Sequence, residues 1–217
     1  MRTHARVVVI GGGAVGVSTL YHLTKKGWSD VVLLERSELT AGSTWHAAGL
    51  LPLFNMSYTV GQLHKYSVDL YKRLPAETGQ EVSFHVTGNL RLATCAERMD
   101  EYLKYCGTAN TIGVPFRIVS PAEVRSLWPL VNLGDGKDTA KIIGALYHPD
   151  DGHIAPADLT AALRIGARAA GAEICEHTEV TAARRRPSGE WQLSTTGGEI
   201  VAEHVACATG NYARQTG

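Results

Sequence analysis

Residues 6–35 read RVVVIGGGAVGVSTLYHLTKKGWSDVVLLE, and the organisation of this stretch decides the fold class. Arg6 to Ile10 is a short β-branched run of the kind that forms a strand buried on both faces. Val15 to Lys26 then shows helical spacing, with Val17, Leu20, Tyr21 and Leu23 on one apolar face and Gly27 at the position of a C-terminal cap. Val31 to Glu35 is a second buried strand. A strand, a helix and a strand within so short a span make a parallel pair with a right-handed crossover.

The turn between the first strand and the helix carries Gly11, Gly13 and Gly16, the pattern G-x-G-x-x-G. The first glycine permits the tight turn, the second lets a pyrophosphate approach the backbone, and the third lets helix pack on strand. Ala14 and Val15 open the helix, whose unbonded N–H groups and dipole favour an anion. Glu35 ends the next strand, 19 residues after Gly16, where a carboxylate can accept from a ribose hydroxyl pair. The stretch therefore predicts a dinucleotide-binding unit, and the negative charge of Glu35 disfavours a 2′-phosphorylated cofactor.

Further along, Tyr58 to Thr78 has the pattern of a long amphipathic helix with Leu63, Tyr66, Leu70, Tyr71 and Leu74 on one side. EVSFHV and GNLRLAT alternate like antiparallel strands, and a helix follows from about Ala96 to Gly113. In SPAEVRSLWP, Ser120 is an N-cap, Pro121 the first helical residue and Glu123 the third. Pro156 to Ala170 is again helical and ends at Gly171; four strands at short spacing follow, with PSG and TGG as turns. The fold class expected is α/β, a Rossmann-like fold interrupted by a mixed α+β domain. The divisions expected are 1–80, 81–150 and 151–217. The last strand is expected to run buried into the Gly turn of CATGNY, and LGDGKDTAK (133–141) to form an expanded loop.

Composition narrows the field of partners. With 21 basic and 21 acidic residues the formal net charge is zero, so the chain lacks the basic footprint of a nucleic-acid or anionic-membrane partner. No apolar run approaches the length of a membrane span, and the chain opens at once into its first strand, which points to a cytoplasmic protein or, in a eukaryote, a mitochondrial matrix protein. The four cysteines, Cys95, Cys106, Cys175 and Cys207, lack C-x-x-C spacing and are expected as reduced, mostly buried thiols. YHPDDGHIAP, with Tyr147, His148, Asp150, Asp151 and His153, is expected as a turn at Asp151–Gly152 followed by a helix start at Pro156 and Asp158, rather than as a catalytic or metal cluster. Arg184 to Arg186 reads as a solvated strand end.

LTAGSTWHAAGLL (39–51) surrounds one indole and one imidazole with small residues. Gly42, Ser43 and Thr44 look like a second phosphate-facing turn, which an NAD domain does not need and an extended FAD does. Together, VVVIGGGAVGVSTLYHL, VVLLERSELTAGSTWHAAGL, GNLRLAT and YHPDDGHIAPADLTAALRIGARAAGAEI resemble the dimethylglycine and sarcosine dehydrogenase family, within the D-amino-acid-oxidase-like flavoproteins. The resemblance runs over essentially the whole chain. It implies FAD, joined covalently through His46 to the flavin 8α carbon, with Trp45, Ala47, Ala48, Gly49 and Leu50 around the flavin edge. It also implies cofactor contacts at Arg36, at Val180 near the adenine, and at Gly210 and Tyr212 near the ribityl chain.

The activity so implied is oxidative demethylation of a small N-methylated amino acid by hydride transfer to flavin, with a separate electron acceptor. Tetrahydrofolate belongs to a C-terminal domain of that family. Acid, base and carboxylate-binding residues are expected beyond Gly217, and residues 1–217 alone are expected to retain FAD poorly. Two rival readings remain open at this point: a non-catalytic phosphatase-regulating relative on the same scaffold, and an NAD-dependent dehydrogenase.

Overall fold

A computed structural model describes residues 2–216. Strands β1 (His4–Ile10) and β2 (Val31–Leu34) flank helix α1 (Ala14–Lys25), and β3 (Leu50–Leu51) leads to α2 (Tyr58–Thr78). The chain continues through β4 (His85–Val86), β5 (Asn89–Ala93), α3 (Ala96–Ile112), β6 (Arg117–Val119) and α4 (Pro121–Leu127). After β7 (Gly144–His148) and β8 (Gly152–His153) come α5 (Pro156–Ala169) and strands β9 (Glu173–Cys175), β10 (Val180–Arg185), β11 (Trp191–Thr195) and β12 (Gly198–Cys207). These elements group into two compact units: 1–49 with 73–83 and 155–217, and 50–72 with 84–154. Residues 50–72 thus group with the second unit, where the sequence divisions place them in the first.

The first unit is built on a six-stranded sheet of order β10-β11-β12-β1-β2-β9. β12, β1, β2 and β9 run parallel, and β10–β11–β12 is an antiparallel meander. The apolar runs explain the arrangement: every residue of β2 and Val8 to Ile10 of β1 are buried, as strands covered on both faces must be. α1 turns Val17, Leu20 and Tyr21 inward. A Cβ on Gly166 of α5 would lie 2.7 Å from the Tyr21 ring, so the glycine seats that ring between the two helices.

The second unit has a β5-β7-β6 sheet and a small β3-β8-β4 sheet. α4 carries the expected capping box, with Ser120 Oγ accepting from Glu123 N–H and the Glu123 carboxylate accepting from Ser120 N–H. α2 spans the expected residues, but Leu63 and Tyr66 are exposed while Val68, Leu70 and Leu74 are buried. Gly61 is buried on the same helix, where a Cβ would sit 2.3 Å from Ile112 Cδ1 of α3, a contact made at a residue with no side chain to mark it.

Three further expectations are corrected. No disulfide joins the described cysteines, but they are not mostly buried: Cys95 is exposed at the N-cap of α3, Cys207 is exposed at the end of β12, and Cys106 and Cys175 are half-buried. The last strand is buried only at Ile200–Ala202, and its C-terminal end is half-buried or exposed. The bend in YHPDDGH falls at Pro149–Asp150, and Gly152–His153 is a strand. Loop 133–141 is closed by Asp135, whose Oδ1 accepts from the N–H groups of Lys137, Asp138 and Thr139; these bonds hold its pKa below the usual carboxylate value.

Candidate functional site

In the first unit the glycine loop joins the C-terminal ends of β1 and β12. Ala208 N–H donates to Ile10 O at 2.8 Å. A Cβ on Gly11 would lie 2.5 Å from Ala208 O, and one on Gly16 would lie 1.9 Å from Gly11 O. Both clashes are with backbone, so these two glycines are required by close packing. Gly12 is just as constrained, because a Cβ there would meet Leu39 Cδ2 at 2.5 Å. Sequence reasoning missed Gly12 and Ala208; a third consecutive glycine where the motif needs only two was the available signal.

Gly13 caps α1 without a side chain, and no acidic residue occupies the first turn. Thr44 Oγ1 accepts from Ala14 N–H at 3.0 Å. The second small-residue turn is thereby brought against the start of α1, as two turns facing one diphosphate need. Gly42 differs from the glycines of the loop: a Cβ there would meet nothing within 4 Å, and its φ is not positive. The chain's own packing gives no reason for glycine at 42.

Glu35 follows β2 and accepts from Gly12 N–H (2.6 Å) and Ser37 N–H (2.9 Å) through different oxygens. Each oxygen keeps a second lone pair for a hydroxyl donor. The segment after Glu35 is fastened to the one before β10: Thr178 N–H donates to Glu35 O, His177 N–H to Ser37 O, and Leu39 N–H to a Glu176 carboxylate oxygen. Val180 opens β10 beside this junction. Tyr212 lies in a 3₁₀ turn begun by Gly210, and the Arg36 guanidinium stacks 4.0 Å from its ring. The sequence reading puts Tyr212 near the ribityl chain; the structure sets it against the neighbour of Glu35.

Residues 39–46 form a succession of turns, and Ser43, Trp45, His46, Ala47 and Ala48 are exposed. The rings of Trp45 and His46 are 4.2 Å apart and inclined by 38°. Among the described residues of this unit, the large apolar side chains left exposed are Val15 (72%), Trp45 (62%) and Tyr212 (44%). All three belong to the set read from sequence as cofactor contacts. The residues present therefore fit a flavin dinucleotide: donors at the helix start, a carboxylate for ribose, and apolar surface for rings.

The second unit contains Leu50, exposed on β3, and a buried polar cluster. His148 and Asp151 are 0% and 1% exposed. His148 Nε2 lies 3.0 Å from the Tyr105 hydroxyl, which donates to Leu53 O, and Asp151 Oδ1 accepts from Leu53 N–H at 2.9 Å. The Arg91 guanidinium stacks 4.3 Å from the Phe54 ring. His148 Nδ1, Asp151 Oδ2 and Arg91 Nε have no protein partner. Burial pushes the Tyr105 hydroxyl up to about 12, so it remains a donor.

A parallel sheet whose first strand runs through a glycine loop into a helix, with a carboxylate at the end of the second strand, is the architecture of the dinucleotide-binding class. The chain belongs to the FAD dependent oxidoreductase family, whose model matches residues 6–217. It is 45% identical over 216 residues to the mitochondrial dimethylglycine dehydrogenase of Rattus norvegicus, covering 100% of this chain and 24% of that one. It is 34% identical over 213 residues to the mitochondrial pyruvate dehydrogenase phosphatase regulatory subunit of Mus musculus, covering 98% and 24%. The crystal structure of L-proline dehydrogenase from P. horikoshii superposes with a TM-score of 0.89 at 28% identity, covering 100% of this chain and 55% of that one. The chain thus spans about a quarter of the length of the curated relatives it matches.

Proposed function

We propose that this chain is the flavin-holding portion of an oxidoreductase that demethylates a small N-methylated amino acid, with FAD attached through His46. The observation that carries the reading is the coincidence of exposed apolar side chains with the cofactor set: Val15 and Trp45 are 72% and 62% exposed on residues next to the Ala14–Thr44 hydrogen bond. Solvent exposure of both, on the two turns that this bond joins, is explained by a ligand that covers them. Gly42 fits the same reading: a Cβ there would meet no protein atom, so the backbone at this turn is open to a ligand.

The roles of the residues follow from their donors and acceptors. The α1 N-terminus and the hydroxyls of Ser43 and Thr44 hold the diphosphate from two sides. Glu35 accepts from the ribose, and Arg36 with Tyr212 flanks the nucleoside. Ala47, Ala48 and Gly49 leave room for the flavin edge beside His46, and Trp45 shields the attachment point from water. When bound, FAD supplies the two-electron acceptor for oxidising the C–N bond. A neutral substrate amine loses hydride from its methyl carbon, and the resulting iminium is open to hydrolysis or to a one-carbon acceptor such as tetrahydrofolate. The mitochondrial relative supports a mitochondrial setting for this chain if its source is a eukaryote. No helix of the described residues is long and apolar enough to cross a membrane.

The test is covalent flavin. Full-length protein is acid-precipitated and run on a denaturing gel, and a yellow fluorescent band is expected that disappears in His46→Ala. Turnover of dimethylglycine or sarcosine with a dye acceptor identifies the substrate class. Absence of flavin, or dependence on NAD, overturns the proposal; bound flavin without turnover on any N-methylated amino acid assigns the chain to a non-catalytic relative.

A further inference from the structure

The small sheet of the second unit carries two histidines that the proposed function does not use. In the antiparallel pair β4·β8, His85 stands directly opposite His153. Both are exposed, and their ring centroids lie 5.1 Å apart with the planes inclined by 44°. The approach of these strands is fixed by Gly152, where a Cβ would fall 2.1 Å from His85 O. Any other residue at 152 would push the strands apart. Asp151 anchors the preceding position on both sides: its backbone oxygen accepts from Thr87 N–H (3.1 Å) and Gly88 N–H (2.8 Å), and its Oδ1 accepts from Leu53 N–H. The two imidazoles are therefore held side by side by backbone geometry, independently of each other's side chain.

We propose that His85 and His153 form a two-ligand chelate for a divalent first-row transition ion. An imidazole nitrogen binds zinc at about 2.0–2.1 Å, and the ring centre lies about 1.2 Å behind that nitrogen. A tetrahedral angle at a shared ion then puts the two ring centres about 5.2 Å apart. The observed 5.1 Å matches this separation. Imidazole donors select zinc, copper or nickel over magnesium and calcium, which take oxygen ligands. Among the described residues no group of three or more His, Cys, Asp or Glu side chains assembles around a metal. The pair thus leaves solvent-facing coordination positions for water, and it binds more weakly than a closed structural site. Sequence spacing gives no sign of it, because the two histidines come from strands far apart in the chain.

Isothermal titration of the full chain with zinc chloride should show one site that weakens at least tenfold in His85→Ala and equally in His153→Ala. His204→Ala, which changes an exposed histidine stacked against Trp28 in the other unit, should bind like the unaltered protein. Cobalt(II) should give the visible bands of a low-coordinate ion in the unaltered chain and lose them in either variant. Because both histidines are exposed, urea midpoints without metal should be unchanged, which separates loss of a ligand from loss of the fold. Zinc binding unaffected by either substitution, or no zinc binding by the unaltered chain, overturns the assignment. Leu50, which the resemblance assigns to the flavin edge, pairs with His153 from the β3 side, and the zinc titration and the gel assay read the two assignments separately.

Discussion

Replacing Asp151 by Asn should change how stability responds to pH, by an amount that follows from the buried cluster. Burial, with a smaller contribution from the Arg91 charge, pushes His148 down from 6.5 to about 4. Burial pushes Asp151 up from 3.8 to about 6; the Leu53 N–H bond and Arg91 oppose the shift and Asp150 adds to it. As pH falls from 6.5 to about 4, the unfolded chain gains a proton on this histidine that the folded chain refuses, so stability falls. As pH falls from about 6 to 3.8, the folded chain takes up a proton on Asp151 before the unfolded chain does, so stability rises. At about 1.4 kcal/mol per pKa unit, each contribution is on the order of 3 kcal/mol, and the two nearly cancel around pH 5.

Asp151→Asn keeps an oxygen to accept from Leu53 N–H and removes only the titration. Relative to the unaltered chain, its unfolding free energy should therefore drop by about 3 kcal/mol between pH 6 and 4. His148→Gln should show a relative rise of similar size over the same range. Urea unfolding followed by tryptophan fluorescence at half-unit pH steps measures this, with a constant m-value confirming that the folded state is comparable throughout. Curves for both variants running parallel to that of the unaltered chain would refute the account of His148 and Asp151 as oppositely shifted, buried groups.

Other substitutions separate packing from ligand contact. Gly16→Ala drives a Cβ toward Gly11 O and should cost at least about 1–3 kcal/mol, seen as a lower urea midpoint together with loss of flavin. Gly42→Ala meets no protein atom, so the midpoint should hold while the covalent flavin content of the purified protein falls; unchanged flavin content would remove the second turn from the site. Ser120→Ala breaks the capping box of α4 and should lower stability by about 1 kcal/mol without affecting flavin content.

The fold was legible wherever local chemistry determines it. Buried runs, a glycine turn and a capping box specify β1, α1, β2 and α4, because each depends on neighbours within a few residues. The amphipathic pattern likewise located α2 from Tyr58 to Thr78 but misassigned part of its inner face. Hydrophobicity ranks Leu63 and Tyr66 above Gly61, whereas the helix contact is made where the side chain is absent. The same blindness hid the Tyr105–His148 pair and the opposed His85 and His153, which are created by strand pairing between distant segments.

The candidate site was legible for a different reason. A cofactor contact leaves two traces that packing does not: small residues without a protein neighbour, and apolar residues without a cover. Gly42 is an instance of the first, and the exposed Val15 and Trp45 are instances of the second. Gly11 and Gly16 carry the more familiar motif, yet they would be glycine for packing alone, since their Cβ atoms would strike backbone even with no ligand bound. The weight of the flavin assignment therefore rests less on the glycine fingerprint than on residues 42–46, where an open glycine and two hydroxyls stand beside an exposed indole and imidazole.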